Sequence, residues 1–534
     1  MLTARNIATS AACVASAIAF LLAPACGGKD PQSTFPGAPG NPDNGSSNGS
    51  SGSNTNLGGA SSSSGASSGG GPCVGLQCQQ VKCTGGATTT LTGHIYDPAG
   101  NNPLYKVVAY IPNSNPEPIN DGVSSASCGC DSLYTGQPIA AAITDATGSF
   151  TLNNAPSGSN IPIVIQIGKW RNYFTIPNVT QCQSNDLDTL LPAKLTLPKT
   201  QTETAYSNIP SIAVSTGGAD SMECVFARIG VDESEYTGDP TSTTQHIHIF
   251  QGAGGHDTVN PAGPSSPGPG GLWDTDTDIN RYDITVLSCE GADTTDPNSQ
   301  VLADYVNGGG RVFASHYHYA FFFNDQTNTN SPQFPNVANW NLAYEGAQPN
   351  GSDDYTGAIG ATISTTLANG SPFPEGQALY TWLKSTINVL GTNGMPANDL
   401  EIDKDNGRYD GIVGAGNVST VWAAADPATL GGQPVSDQYF SWDMPFNAPL
   451  DDAGVPGYCG RVVFSDLHVG AASNDYTAGG AGKHGGTVPT GCSYPQKLAP
   501  DEDAIEFILF DLSSCVTPVS GVPQPPPTPT GPIQ

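Results

Sequence analysis

Three short stretches gather the residue types that do chemistry. Residues 308–319, GGGRVFASHYHY, are a glycine turn and an apolar strand that ends in Ser315, His316 and His318. HIHIF opens another strand with His246 and His248, and GRVVFSDLHVG closes a third with Asp466 and His468. A hydroxyl beside an imidazole can serve as a nucleophile with its base. On that reading Ser315 attacks, His468 takes its proton, Asp466 orients the imidazole, and His316 is a further candidate at the same strand end. A second reading uses the two His-x-His pairs. Strand alternation puts both histidines of a pair on one face, so His246, His248, His316 and His318 could hold zinc or copper. Yet His246 begins its strand and His316 ends its own, so parallel strands would set the pairs several residues apart. In the third reading, the histidines hydrogen-bond at the sheet edge and under loops, as partly buried polar groups must.

Three features oppose a serine nucleophile. An elbow of the G-x-S-x-G kind needs small neighbours, and Ser315 has Phe313 and Tyr317 two places away on either side. The following YAFFFNDQTNTNSPQ is aromatic and then loop-like, so no helix N-terminus is on offer. Cysteine is absent from the elbow, while Cys289 ends a different strand and could equally be disulfide-bonded. The acidic loops DTDTDIN (Asp274, Asp276, Asp278) and DKDNGRYDG (Asp403, Asp405, Asp410) have calcium-loop character. Neither has EF-hand spacing: the first lacks the glycine, and the second puts Gly407 where a ligand is needed. Solvated acidic loops are the plainer reading. No cofactor is expected, with Zn or Ca as the open possibilities.

These residues must be positioned by elements. Between about 86 and 200 the chain reads as short strands and turns with no helical period: TTTLTGHIYDPAG, NPLYKVVAYIPN, AAITDATGSFTLNNAPSG, IPIVIQIGKWRNYFTIPNV. That pattern indicates an antiparallel β-sandwich. The series T-L-T-G-x-I-x-D-P-x-G-x-x-P-L, then T-D-x-x-G-x-F-x-L-x-x-x-P, resembles the carboxypeptidase regulatory-like domain. The resemblance implies a prealbumin-like sandwich, a non-catalytic module that accompanies enzymes, transporters and surface proteins. From 206 to 516, apolar strands alternate with helices (ADSMECVFARIGV, NSQVLADYVNGGG, EGQALYTWLKSTINVLG, APDEDAIEFILFDL). Such alternation indicates an α/β domain with a mainly parallel, flavodoxin-like sheet covered on both faces. The order YDITVLSCEG, VLADYVNGGGRVFASHYHY, GRVVFSDLHVG, DEDAIEFILFDL is similar to the glutamine-amidotransferase-like fold, nearest its trehalose-utilisation-type branch. In catalytic members the residue ending the strand after the glycine turn is the nucleophile, and a histidine on a late strand is its base. The resemblance carries those roles to Ser315 or His316 and to His468.

Composition bounds the setting. The chain has 534 residues, with 17 Lys and Arg against 47 Asp and Glu, a formal charge of -30. That balance repels nucleic acid and anionic membrane surfaces. The N-terminus, MLTARNIATSAACVASAIAFLLAPAC, is a basic residue, an apolar stretch and small residues, the pattern of a signal peptide over 1–25. LLAPAC resembles a bacterial lipobox, which implies lipidation at Cys26; cleavage after an A-x-A motif is the alternative. A Gly/Ser-rich disordered tether follows over 26–72, then the sandwich over 73–200, the α/β domain over 206–516 and a Pro-rich disordered tail over 517–534. Eleven further cysteines in an exported chain read mostly as disulfides, with one thiol left over.

The expected protein is therefore an extracytoplasmic lipoprotein of the cell envelope or outer membrane, held to the membrane by its N-terminal lipid. Its expected role is binding or scaffolding without catalysis, with an envelope or extracellular ligand of carbohydrate or peptide type. The alternatives are a Ser315–His468 hydrolase and a histidine-rich metal-binding protein.

Overall fold

The computed structural model describes residues 73–528, except 124–127, 129–132, 253–258, 260, 266–270, 292–298, 323–333, 335, 341–354, 404–405, 453, 469–491 and 493–497. The expected signal peptide (1–25), Cys26, the rest of the expected tether (26–72) and Asp405 lie outside the described residues. No helix of the described residues is long and apolar enough to cross a membrane.

Period-two patterning builds the first sheets. In β1 (Thr90–Tyr96), Leu91, Gly93 and Ile95 face inward while their neighbours are half-exposed. It is followed by β2 (Val108–Pro112), β3 (Pro138–Ile143), β4 (Ser149–Leu152), β5 (Gly158–Ile167), β6 (Trp170–Val179), β7 (Ser184–Asp186), the short helix α1 (Leu187–Leu190) and β8 (Leu195–Thr196). One sheet, β3-β2-β5-β6, is antiparallel throughout. In the other, β4 is antiparallel to β1, but β7 and β8 pair with β1 in parallel. This half thus departs from the expected all-antiparallel pattern, because the chain returns along β1 after β6 in two short pieces rather than through hairpins. Side chains of both sheets enter one core.

Beyond residue 206 the chain forms β9 (Ile212–Thr216), α2 (Met222–Arg228), β10 (Tyr236–Thr237), β11 (Ile247–Gln251), α3 (Asp276–Ile279), β12 (Ile284–Leu287), α4 (Ser299–Asn307) and β13 (Arg311–Ser315). Then come β14 (Asn339–Trp340), β15 (Ile359–Ile363), α5 (Pro374–Thr381), β16 (Asp399–Ile402), β17 (Gly411–Ile412), β18 (Thr420–Ala425), β19 (Asp437–Met444), β20 (Gly460–Ser465) and α6 (Pro500–Ser513). Ten of these strands make one mixed sheet in the order β10-β11-β9-β12-β13-β20-β19-β18-β15-β16. The first six run parallel. The stretch between β13 and β20 supplies the other four, which extend the sheet antiparallel.

Alternate residues of the parallel strands enter two separate cores, one on each face. Val214, Val286, Phe313 and Val463 belong to one, and Ala213, Leu287, Ala314 and Phe464 to the other. Burial on both faces explains why these strands read as continuous apolar runs. The turn into β13 depends on glycine: Gly309 takes a φ of 115°, closed to most side chains, and ends α4.

The N-terminal sheets do not stand apart from the α/β part. Residues 68–534 form one compact unit. Tyr105 stacks on Phe507 of α6, and Trp170 meets Phe510 edge-on. Lys106 bonds Glu375 and, at 3.1 Å, Asp511; Arg461 binds both of those carboxylates and Asp443. The disulfide Cys128–Cys459 joins the two parts covalently, beside Cys73–Cys78, Cys83–Cys182 and Cys224–Cys492. Four disulfides fit an extracytoplasmic protein.

Candidate functional site

Parallel strands aim their carboxyl ends at one edge, and crevices form there where strand order reverses. Here the chain steps from β9 outward to β11 and then back across to β12. The residues just past β9, β12, β13 and β20 meet at this edge: Asp220, Cys289, His316 and His468.

Cys289 is held by backbone. Its carbonyl accepts from Ala219 N–H at 3.0 Å, its own N–H donates to the Asp220 carboxylate, and Gly291 N–H points at Sγ from 3.4 Å. Gly217 makes this approach possible, since a Cβ there would stand 1.9 Å from the Cys289 carbonyl oxygen. The sulfur is fully buried and is a thiol. His316 follows β13 with a φ of 42°, a left-handed conformation that non-glycine residues rarely take. Its Nδ1 lies 3.2 Å from Cys289 Sγ and 2.8 Å from His468 Nε2. Its Nε2 lies 2.9 Å from Asp410 Oδ2, an ion-pair distance without the alignment of a hydrogen bond. Arg408 donates to His468 Nδ1.

Asp466 builds the loop that brings these partners. Its Oδ2 accepts from Asp410 N–H at 2.9 Å and Gly411 N–H at 3.3 Å, and its carbonyl accepts from Arg408 N–H at 2.9 Å. Burial, with the Asp410 charge second, holds the Asp466 carboxyl well above the usual range. Asp220 is pushed up to about 7 by burial, against the hydrogen bond it accepts from Ser315. Burial, followed by the Arg408 and His316 charges, drives His468 far below an ordinary imidazole, so it is neutral.

Donor chemistry then fixes the protons. Arginine only donates, so His468 Nδ1 accepts and its proton sits on Nε2. That N–H donates to His316 Nδ1. His316 consequently carries its proton on Nε2, toward Asp410, and its single Nδ1 lone pair is shared between the His468 N–H and the Cys289 thiol. The result is a thiol, an imidazole and a carboxylate in sequence, the arrangement of an activated cysteine nucleophile.

The same atoms bear on a metal. Cys289 Sγ, His316 Nδ1 and His468 Nε2 lie within 4.8 Å of one another, and no other group of three such donors does so among the described residues. A ligating histidine gives its second ring N–H to an acceptor. His316 brings its second nitrogen within 2.9 Å of Asp410 but without the alignment of a hydrogen bond. His468 does not meet the condition, because Arg408 occupies its second nitrogen as a donor.

The residues singled out from sequence fare differently. Ser315 does not meet His468: its Oγ donates to Asp220 Oδ2 at 2.7 Å, and both His468 nitrogens are taken by His316 and Arg408. Asp466 holds a loop rather than an imidazole. The four histidines of the metal reading do not converge. His246 and His248 lie at the amino-terminal end of β11, bonded to Glu235 (3.2 Å) and to the Gln245 carbonyl (2.9 Å). His318 turns back to the Ser315 carbonyl at 3.0 Å, and burial lowers it to about 4. These three follow the plain hydrogen-bonding reading. Of the acidic loops, Asp274 and Asp276 are exposed, while Asp410 is buried against His316. Sequence reasoning noted Cys289 but left it open, and missed Arg408, Asp220 and the role of Asp410. The signal available for Cys289 was its place after an apolar strand, between Ser288 and Gly291.

No protein-family model matches the chain, and no curated protein matches it. Three solved chains match. One is the crystal structure of a 9R-lipoxygenase from Cyanothece PCC8801, 16% identical, with a TM-score of 0.12, covering 22% of this chain and 19% of that one. The chain thus spans about a fifth of that structure, and a likeness this slight carries no argument.

Proposed function

We propose that this chain is an exported cell-envelope lipoprotein, anchored through Cys26, whose α/β part is a thiol hydrolase of amidotransferase-like fold. The Cys289–His316–Asp410 line carries the reading. Cys289 Sγ attacks an acyl carbon while its proton passes to His316 Nδ1, a step in which the His468 N–H must turn away from that nitrogen, and Asp410 balances the imidazolium. The leaving group takes that proton. Water, deprotonated by His316, then releases the acyl group from sulfur. His468 and Arg408 hold the resting His316 tautomer, and the Gly291 N–H points at the sulfur from 3.4 Å. The succession β11-β9-β12-β13-β20 is the 2-1-3-4-5 order of flavodoxin-like sheets, which supports the fold reading. The two N-terminal sheets around one core support a regulatory-like, prealbumin-like module. The disulfides support export.

A peptide or carbohydrate ester or amide of the envelope is the substrate class that fits the setting. The test is hydrolysis of small chromogenic esters and amides by the mature protein, with Cys289→Ser alongside. Activity lost in that variant supports the reading. Activity retained there removes it.

The second reading is binding or scaffolding without catalysis. Burial favours it: Cys289 is 0% exposed, His316 1% and His468 6%. A Cys289 that no small electrophile reaches in the folded protein would decide for this reading.

A further inference from the structure

Four cations packed into this acidic chain come with carboxylate counter-charges. Lys106 has Glu375 and Asp511, Lys169 has Asp283, Arg228 has Glu502, and Arg461 has Asp443 with Glu375 and Asp511. Arg171 on β6 differs from these four. It is 2% exposed, yet no carboxylate of the described residues pairs with it. Its Nε donates to the Tyr206 carbonyl at 2.8 Å, its Nη1 reaches no acceptor, and Tyr110 is the one ionisable side chain acting on it. Arginine cannot shed its proton, and an uncompensated buried charge is costly to hold.

Arg171 is one of the residues lining a pocket of about 530 Å³, with Pro116, Pro118, Ile119, Thr204 and Asn208. The pocket wall is braced by its own bonds. Thr204 Oγ1 and Ser207 Oγ lie 2.8 Å apart, Gln201 Nε2 donates to Asn208 Oδ1 at 3.1 Å, and Arg171 and Asn208 pair through their backbones. The cavity is therefore formed in advance of any ligand.

We propose that this pocket binds a small organic monocarboxylate, with Arg171 as its anchor. A guanidinium edge matches a carboxylate with two parallel hydrogen bonds. A single positive charge is neutralised by a monoanion, whereas a dianion such as phosphate or sulfate would leave excess negative charge in a chain already at -30. Two prolines and an isoleucine offer an apolar wall to the organic remainder of the ligand.

Thermal unfolding of the mature protein, titrated with benzoate, acetate and sulfate at fixed ionic strength, tests this. The expected result is a saturable rise in Tm with benzoate, a weaker one with acetate, and none beyond the salt control with sulfate. Arg171→Lys, which keeps the charge and loses the fork, should weaken benzoate at least tenfold, and Arg171→Met should abolish the response. If Arg171→Met does not fold, Arg171→Lys decides alone. A sulfate response equal to that of benzoate, no saturable response, or an unchanged response in Arg171→Lys would each overturn the proposal. The pocket lies away from Cys289, so these outcomes do not depend on the thiol chemistry.

Discussion

Cys289 Sγ lies 3.2 Å from His316 Nδ1, and the two residues arrive from adjacent parallel strands. The contact exists because His316 accepts a φ of 42° at the end of β13. A non-glycine residue in that conformation costs about 1–3 kcal/mol.

Asp410 is expected to act through charge. Asp410→Asn keeps the shape of the side chain and removes the counter-charge to the imidazolium. Hydrolysis of a chromogenic ester should fall about 10²-fold with KM little changed. Equal activity in the variant would show that the 2.9 Å approach of Asp410 to His316 has no role in the reaction.

Gly217 sets the spacing of β9 and β12 at the site. Alanine there would collide with the Cys289 carbonyl, and the backbone must move. Gly217→Ala should lower stability by about 1–3 kcal/mol and depress reaction at Cys289. Urea unfolding together with alkylation kinetics checks both; a variant of wild-type stability contradicts the packing described.

Stability should fall as pH rises toward neutrality. Burial is the first cause of raised carboxyls at Asp220 and Asp501, both to about 7, and at Asp97 and Asp437, both to about 6. In an unfolded chain such groups titrate near 3.9. Between about pH 4 and 7 the folded state binds more protons than the unfolded one, so their stabilisation is complete below that window and is lost on raising the pH through it. His318, lowered to about 4 by burial, acts oppositely between about pH 4 and 6.5, as do His248 and His468, also lowered by burial, but Asp283, Glu375, Asp466 and Glu506, raised by burial, add to the carboxyl side. The urea midpoint should be higher at pH 5 than at pH 8, and Asp220→Asn with Asp501→Asn should shrink the difference. A midpoint that climbs from pH 5 to 8 contradicts the assignment.

Lys106 ties the N-terminal sheets to α5 and α6 through Glu375 and Asp511. Lys106→Met leaves those carboxylates to Arg461 alone. Breaking a buried pair on one side costs about 3–5 kcal/mol, which calorimetry would register as a large drop in Tm. A loss under 1 kcal/mol would mean that the two parts do not depend on this network.

Much of the scaffold was legible in sequence. The apolar strands and the glycine turn mark β9, β12, β13 and β20 because each buries both faces. His316 and His468 were visible as polar residues ending such strands. Their partners were not. Arg408 and Asp410 come from a loop far along the chain, and the Asp466 carboxylate that fastens it looks in sequence like a triad acid. Ser315 looked reactive through its neighbours, but Asp220, which captures its hydroxyl, follows a different strand. The parallel pairing of β7 and β8 with β1 was hidden because strands of two or three residues carry no periodic signal.

The most direct test is the alkylation of Cys289 in the folded, mature protein, read by peptide mass at pH 7 with a small iodoacetamide-type reagent. His316→Asn tolerates the left-handed backbone and removes the imidazole. The account predicts modification of Cys289 in the native protein, at least tenfold slower in His316→Asn. Modification that appears only on unfolding, or that proceeds at the same rate without His316, would contradict it.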